Sequence, residues 1–192
     1  MKIGVFGGTF DPPHLGHLVA VEAARELLSL NFVRVIPAAL SPHKIWRETS
    51  PAEIRLEMVR LAFAGNASFI IDEREIQRKG PSYMVDTLSD LRTEFPGDSL
   101  VLLLGRDTLK DFDTWKEPDR ILALAEVVAL ERQVAGLESG DSPILKRITR
   151  LKTPLVEVSA SMIRERVREG KSIRYMVPEG VREYIERHRL YR

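Results

Sequence analysis

The stretch Lys2-Ile3-Gly4-Val5-Phe6-Gly7-Gly8-Thr9-Phe10-Asp11-Pro12-Pro13-His14-Leu15-Gly16-His17 decides how the rest of the chain is read. Lys2 to Phe6 reads as a short buried strand, ended by Gly7 and Gly8. Leu15 to Leu30 has apolar residues recurring at three and four (Leu15, Leu18, Val19, Ala23, Leu27), which is helical spacing. Phe32 to Ile36 reads as a second strand, stopped by Pro37. Strand, loop, helix and strand follow one another at the size of a βαβ crossover. That unit implies a parallel sheet and a right-handed connection.

The alternation continues outward. Ser50-Pro51-Ala52-Glu53 has the form of a capping box with proline at the first helical position, so a helix to about Ala64 is expected. Phe69 to Ile71 reads as a strand and Pro81 to about Phe95 as a helix. Ser99 to Leu104 (Ser-Leu-Val-Leu-Leu-Leu) reads as a strand buried on both faces. Pro118 opens a helix, Val127 to Leu130 is a strand, and Leu155 to Val158 is expected to be the last strand. Helices follow at about Ala160 to Arg168 and Val181 to His188. The fold class is therefore α/β, a doubly wound, Rossmann-like parallel sheet with C-terminal helices. One domain over residues 1–192 is expected, with about 160–192 as a small helical C-terminal subdomain. The segment from Gly136 to Ser142 reads as a loop.

Composition sets the outer limits. With 192 residues, 44% of them hydrophobic, the chain can bury a core. Lys plus Arg number 29 and Asp plus Glu 28, a net charge of +1, so no field points to a nucleic-acid partner. The absence of cysteine excludes disulfides, thiolate metal sites and a cysteine nucleophile. No apolar run approaches the roughly 18 residues of a membrane span, and the opening residues do not read as a signal peptide. A cytoplasmic protein without a membrane partner is the expectation. Self-association is left open.

The first loop carries the richest chemistry. In an open parallel sheet, ligands bind beyond the C-terminal ends of the strands. Gly7 and Gly8 allow close backbone approach, and amides behind them suit an anion. The following helix start adds N–H groups and roughly half a positive charge. His14 and His17 lie three apart there and face the same side. Two imidazoles so placed could donate to phosphoryl oxygens and offset charge at a pentavalent phosphorus. Two satisfied structural histidines are the plain rival reading, outweighed by the Gly-Gly-Thr and the strand–helix setting; a zinc pair is the lesser rival, since no third ligand stands at a recognisable spacing. The loop is neither G-x-G-x-x-G nor G-x-x-x-x-G-K-[ST].

Gly8-Thr9-Phe10-Asp11-Pro12 with His14-Leu15-Gly16-His17 resembles the opening signature of the H-x-G-H nucleotidyltransferase superfamily. Further segments narrow the resemblance: Ser41-Pro42-His43-Lys44, Asp72-Glu73-Arg74-Glu75, Gly80-Pro81-Ser82-Tyr83, Gly105-Arg106-Asp107, Trp115, Ser159-Ala160-Ser161-Met162-Ile163-Arg164, Val177-Pro178 and Leu190-Tyr191. Together, from Met1 to Arg192, they resemble bacterial nicotinate-nucleotide adenylyltransferases. The resemblance implies adenylyl transfer from ATP to nicotinate mononucleotide with magnesium, giving deamido-NAD and pyrophosphate in NAD biosynthesis.

It also implies roles. His14, His17 and Arg164 would be catalytic. Gly8, Thr9, Phe10, Gly105, Asp107, Ser159, Ser161 and Arg164 would bind ATP, with Phe10 and Asp11 also serving as structural supports. Lys44, Ser82, Tyr83, Met84 and Trp115 would bind the mononucleotide, the aromatics stacking on the pyridine and amides near Ser82 to Met84 meeting its carboxylate. No residue is assigned to a metal, since magnesium would be held by phosphate oxygens and water. Lys116 stands where an aromatic is common, and Met84 where a small hydroxyl residue is common. The alternatives are phosphopantetheine adenylyltransferase, a nicotinamide-preferring enzyme and a non-catalytic nucleotide sensor on the same fold.

Overall fold

The computed structural model describes residues 1–42, 49–109, 111–131, 142–154 and 156–192. In chain order the elements are β1 (Lys2–Gly8), α1 (Leu15–Leu27), β2 (Phe32–Pro37), α2 (Ala52–Phe63), β3 (Phe69–Ile71), α3 (Arg74–Arg78) and α4 (Met84–Glu94). There follow β4 (Ser99–Gly105), α5 (Arg106–Leu109), α6 (Pro118–Leu124), β5 (Glu126–Glu131), β6 (Thr149–Lys152), α7 (Ala160–Arg168) and α8 (Glu179–Arg187). All strands pair parallel, in the order β3-β2-β1-β4-β5-β6. The order reverses between β1 and β4, the switch point at which an open α/β sheet leaves a crevice.

Alternating side chains fill two cores. On one face Phe6, Val33, Val35, Val101 and Leu103 pack with residues of α1, α2, α7 and α8. On the other Ile3, Val5, Leu100, Leu102 and Leu104 pack with residues of α4 and α6. The leucine run of β4 is thus buried on both faces, as its composition predicts. β1 does not stop at Phe6 before Gly7 and Gly8. They are its last two residues and pair with Ile36 and Pro37.

Three further expectations are corrected. The last strand is Thr149–Lys152, not Leu155 to Val158. An edge strand pairs on one side only, and Thr-Arg-Leu-Lys is largely solvent-facing, so no apolar run marks it. Val156 to Val158 lie outside any strand, and Leu155 is outside the described residues. Second, the helix expected from Pro81 begins at Met84. Pro81 bridges to Leu40, and the Ser82 amide donates to the Leu40 carbonyl (2.9 Å). Those bonds hold the segment extended. Third, Ser50 does not cap α2: the helix starts at Ala52 after Pro51, with no side-chain cap.

Ser50 is used elsewhere, by a residue whose importance the sequence does not advertise. Arg55, in the first turn of α2, is only 2% exposed. Its Nε donates to the Ser50 carbonyl (2.9 Å), Nη1 to the Thr9 carbonyl (2.8 Å) and Nη2 to the Ala39 carbonyl (2.8 Å). One guanidinium therefore ties the loop after β1, the segment after β2 and the entry to α2. Burial pulls its pKa down against the attraction of the Asp11 charge. An arginine starts so high that it stays cationic at neutral pH. Replacing it with methionine keeps the volume but orphans three carbonyls. Arg55→Met is expected to cost about 3 kcal/mol of stability by urea denaturation. A loss under 1 kcal/mol would show that the guanidinium is dispensable.

Candidate active site

A cavity of about 660 Å³ opens at the switch point. That is within the usual range for a small-molecule site. It is lined by the loop after β1, the end of β4, the segment before α4, the stretch around Trp115 and the start of α7. These segments are far apart in sequence and meet only because their strands end side by side.

The loop from Thr9 to His14 is held from several sides. The Asp11 carboxylate is 4% exposed. Oδ1 accepts from the Tyr191 hydroxyl (2.7 Å), and Oδ2 from the Ser50 amide (3.2 Å). Burial, with the Asp11 charge adding to it, raises the Tyr191 phenol well above its ordinary range, so it is a donor at any working pH. The Asp11 carbonyl accepts from Arg164 Nη1 (2.7 Å). Asp11 is thereby a support of the loop.

The two histidines adopt the face-sharing geometry that their spacing predicts. Their rings stack with centroids 3.7 Å apart and planes at 25°. His14 caps α1 and is 7% exposed. Its backbone amide donates to His17 Nδ1 (3.3 Å). In neutral His17 the ring proton is therefore on Nε2, which makes that atom a donor. Phe10 stands edge-on to His17 at 5.3 Å and to Phe6 at 5.5 Å, so its buried ring buttresses the imidazole. Glycine is required at two points. A Cβ on Gly8 would lie 2.9–3.1 Å from the Phe10 ring, and one on Gly16 would lie 3.0 Å from the His14 ring and 3.3 Å from the Val156 carbonyl. The amide supply at the helix start is smaller than the sequence suggests. The Leu15 amide donates to the Met176 carbonyl (3.0 Å) and the His17 amide to His14 (2.9 Å).

The start of α7 faces the same cavity. Ser159 is its N-cap, and Oγ accepts from the Met162 amide (3.2 Å), which leaves the hydroxyl hydrogen able to donate outward. Arg164 Nη2 donates to Ser161 Oγ (3.4 Å) while Nη1 holds Asp11. Arg164 thus joins α7 to the first loop.

Ser82, Tyr83, Met84 and Trp115 line the cavity with Gly8, Thr9 and Gly105. The Met84 methyl packs over Gly7, at 2.7 Å from where a Cβ would stand. Trp115 packs against Phe112 at 5.3 Å between ring centroids. Lys44 lies outside the described residues. Asp107 falls in α5, and its side chain lies outside them as well. Glu75 has no assigned role in the sequence reading, yet it is a buried carboxyl in the cavity wall. Its Oε1 accepts from Thr87 Oγ1 (2.7 Å), and it shares a hydrogen bond with Ser82, whose Oγ accepts from the Ala39 amide (2.9 Å). This chain of contacts braces the segment before α4. Arg55 lies in no motif singled out above and Glu75 closes the Asp72-Glu73-Arg74-Glu75 segment without a role of its own; the signal that could have found both is a charged residue on the apolar face of a helix.

Imidazoles, hydroxyls and a guanidinium at a sheet switch point are donors of the kind that suit phosphoryl oxygens, and the comparisons with known proteins give the class as nucleotidyltransferase. The cytidylyltransferase-like family model matches residues 5–166. A Thermus thermophilus protein named "Probable nicotinate-nucleotide adenylyltransferase" is 45% identical over 192 residues, 100% of both chains. One of the same name from Thermomicrobium roseum is 45% identical over 199 aligned positions, covering 100% of this chain and 92% of its own. The solved Plasmodium falciparum nicotinic acid mononucleotide adenylyltransferase complexed with NaAD matches with TM-score 0.77 at 17% identity, covering 99% of this chain and 97% of that one. Its complex with APC matches with TM-score 0.78 at 16% identity, covering 99% and 96%. At such identity the likeness concerns the fold. The chain belongs to the nicotinate-nucleotide adenylyltransferase family.

Burial raises the Glu75 pKa above its ordinary 4.5. The native state then holds a proton that the unfolded chain releases, and stability falls as pH rises from about 4.5 through the raised value. Glu75→Gln lacks this proton linkage. The stability of E75Q relative to the parent should rise across that window and level off above it, as read by urea denaturation at a series of pH values. A difference that does not vary with pH would place the Glu75 pKa at its ordinary value.

Proposed function

We propose that this enzyme transfers the adenylyl group of ATP to nicotinate mononucleotide, giving deamido-NAD and pyrophosphate, in NAD biosynthesis. Family membership supports the reaction. The observation that carries it in this chain is the convergence, in one cavity, of the His14–His17 stack, the Ser159–Arg164 helix start and the aromatic pair Tyr83 and Trp115. The first two suit phosphates and the third suits a flat heterocycle.

The acceptor's phosphate attacks the α-phosphorus, an O–P bond forms, and the bond to the pyrophosphate leaving group breaks. A phosphate monoester has a second pKa of roughly 6, so its oxygen is already anionic and needs no strong base. Catalysis then rests on alignment and charge neutralisation. His17 Nε2, with His14 behind it, would donate to the phosphoryl oxygens where charge builds. Ser159, Ser161 and Arg164 would hold the departing pyrophosphate. Gly8, Thr9 and Phe10 would line the ATP chain, with Gly105 and Asp107 toward adenosine. Lys44 would reach the phosphates, and Ser82, Tyr83, Met84 and Trp115 would take the pyridine nucleotide.

A divalent cation accompanies ATP in nucleotidyl transfer, and we propose magnesium. The donors at the phosphate end are imidazoles, hydroxyls and a guanidinium, which suit phosphate oxygens better than a hard cation. Magnesium would therefore enter bound to ATP. The described residues include no helix long and apolar enough to cross a membrane, and we place the reaction in the cytoplasm.

His17→Ala should lower kcat by about a hundredfold or more, the scale of one preorganised charge-stabilising donor. Pyrophosphate release from magnesium-ATP and nicotinate mononucleotide is the measurement. Unchanged turnover in a folded variant would remove His17 from the mechanism.

A further inference from the structure

Lys116 lies in the cavity wall beside Trp115. Its Nζ sits 4.6 Å from the centre of the Tyr83 ring. The ammonium also reaches both oxygens of Asp86, at 3.3 Å each. A tight ammonium–carboxylate contact is about 2.7–2.9 Å, so this pair is long and leaves the N–H groups able to serve another acceptor. The Lys116 and Asp86 side chains are 42% and 41% exposed. A pair so open to water contributes little to stability. Lys116 is thus a cation oriented by Tyr83 and Asp86 without being consumed by either.

Among the described lining residues, the other permanently charged cation is Arg164, which is engaged with Asp11 and Ser161 at the phosphate end. A negative charge at the aromatic end therefore has Lys116 to meet. Of the two pyridine mononucleotides, only nicotinate mononucleotide brings one on its ring; nicotinamide mononucleotide carries a neutral amide there. Glu75, the buried carboxyl in the same wall, is satisfied by Thr87 and Ser82.

We propose that Lys116 is a specificity-determining residue: its ammonium, held over Tyr83 by Asp86, receives the ring carboxylate of the acceptor and favours the acid over the amide. This rests on the acceptor assignment made above. A charge-assisted hydrogen bond at a partly exposed position should change the preference by about tenfold.

The test compares kcat/KM for nicotinate and nicotinamide mononucleotides, with magnesium-ATP saturating, in the parent protein, Lys116→Met and Lys116→Arg. Lys116→Met should lower the acid-to-amide ratio about tenfold, mostly by losing the acid, with KM for ATP unchanged. Lys116→Arg should restore most of the ratio, which a merely structural role would not require. A parent preference for the acid that survives intact in Lys116→Met overturns the role of Lys116 and leaves the proposed reaction standing. Equal losses on both acceptors overturn it too. A parent protein that adenylylates neither mononucleotide overturns the proposed reaction, and the role of Lys116 with it.

Discussion

The site depends on how the backbone from Thr9 to His14 is held. This loop must present two stacked imidazoles and closely approached glycines to the same space. A free loop would spend conformational entropy doing so, on the order of 1–2 kcal/mol per residue. Here the cost is offset by bonds from elsewhere in the fold. Arg55 takes the Thr9 carbonyl, Tyr191 and the Ser50 amide take the Asp11 carboxylate, and Arg164 takes the Asp11 carbonyl. Phe10 then carries the order to His17 through ring contact. Preorganisation of this kind is what charge stabilisation during phosphoryl chemistry demands, because dipoles already in place need no reorganisation.

The same contacts explain how the histidine pair and the start of α7 share one cavity. Arg164 belongs to α7, yet one of its nitrogens is bound to the first loop. The helix start that carries Ser159 and Ser161 is thereby registered against His14 and His17. The wall around Tyr83 is built differently. It leans on Glu75, Thr87 and Ser82, which brace the segment before α4 against the chain after β2. The end of the cavity at His14, His17 and α7 is rich in donors. At the aromatic end Lys116 stands beside a partly exposed partner.

Much of this is legible in the residues. The β1–α1–β2 unit, the doubly buried run of β4 and the helix from Ala160 to Arg168 follow from periodicity and turn chemistry, because each is a local pattern with a core face. The stacking of His14 on His17 follows from a spacing of three at a helix start. The misreadings share a cause. β6 is polar because an edge strand satisfies one side only, Pro81 is drawn into a bridge with Leu40, and Ser50 gives its amide to Asp11 instead of capping α2. In each case a long-range bond outweighs a local preference worth about 1 kcal/mol.

The sequence by itself determined the sheet class, the shared face of His14 and His17 and, through its motifs, the family. Those properties reside in short spans whose pattern is sufficient. Only the tertiary structure decided that Arg55 would be buried among three carbonyls, that Tyr191 and Arg164 would converge on Asp11, and that Lys116 would stand over Tyr83. Each of these joins segments far apart in the chain. A charged residue reads the same in sequence whether water or three carbonyls will surround it, and packing alone makes that choice.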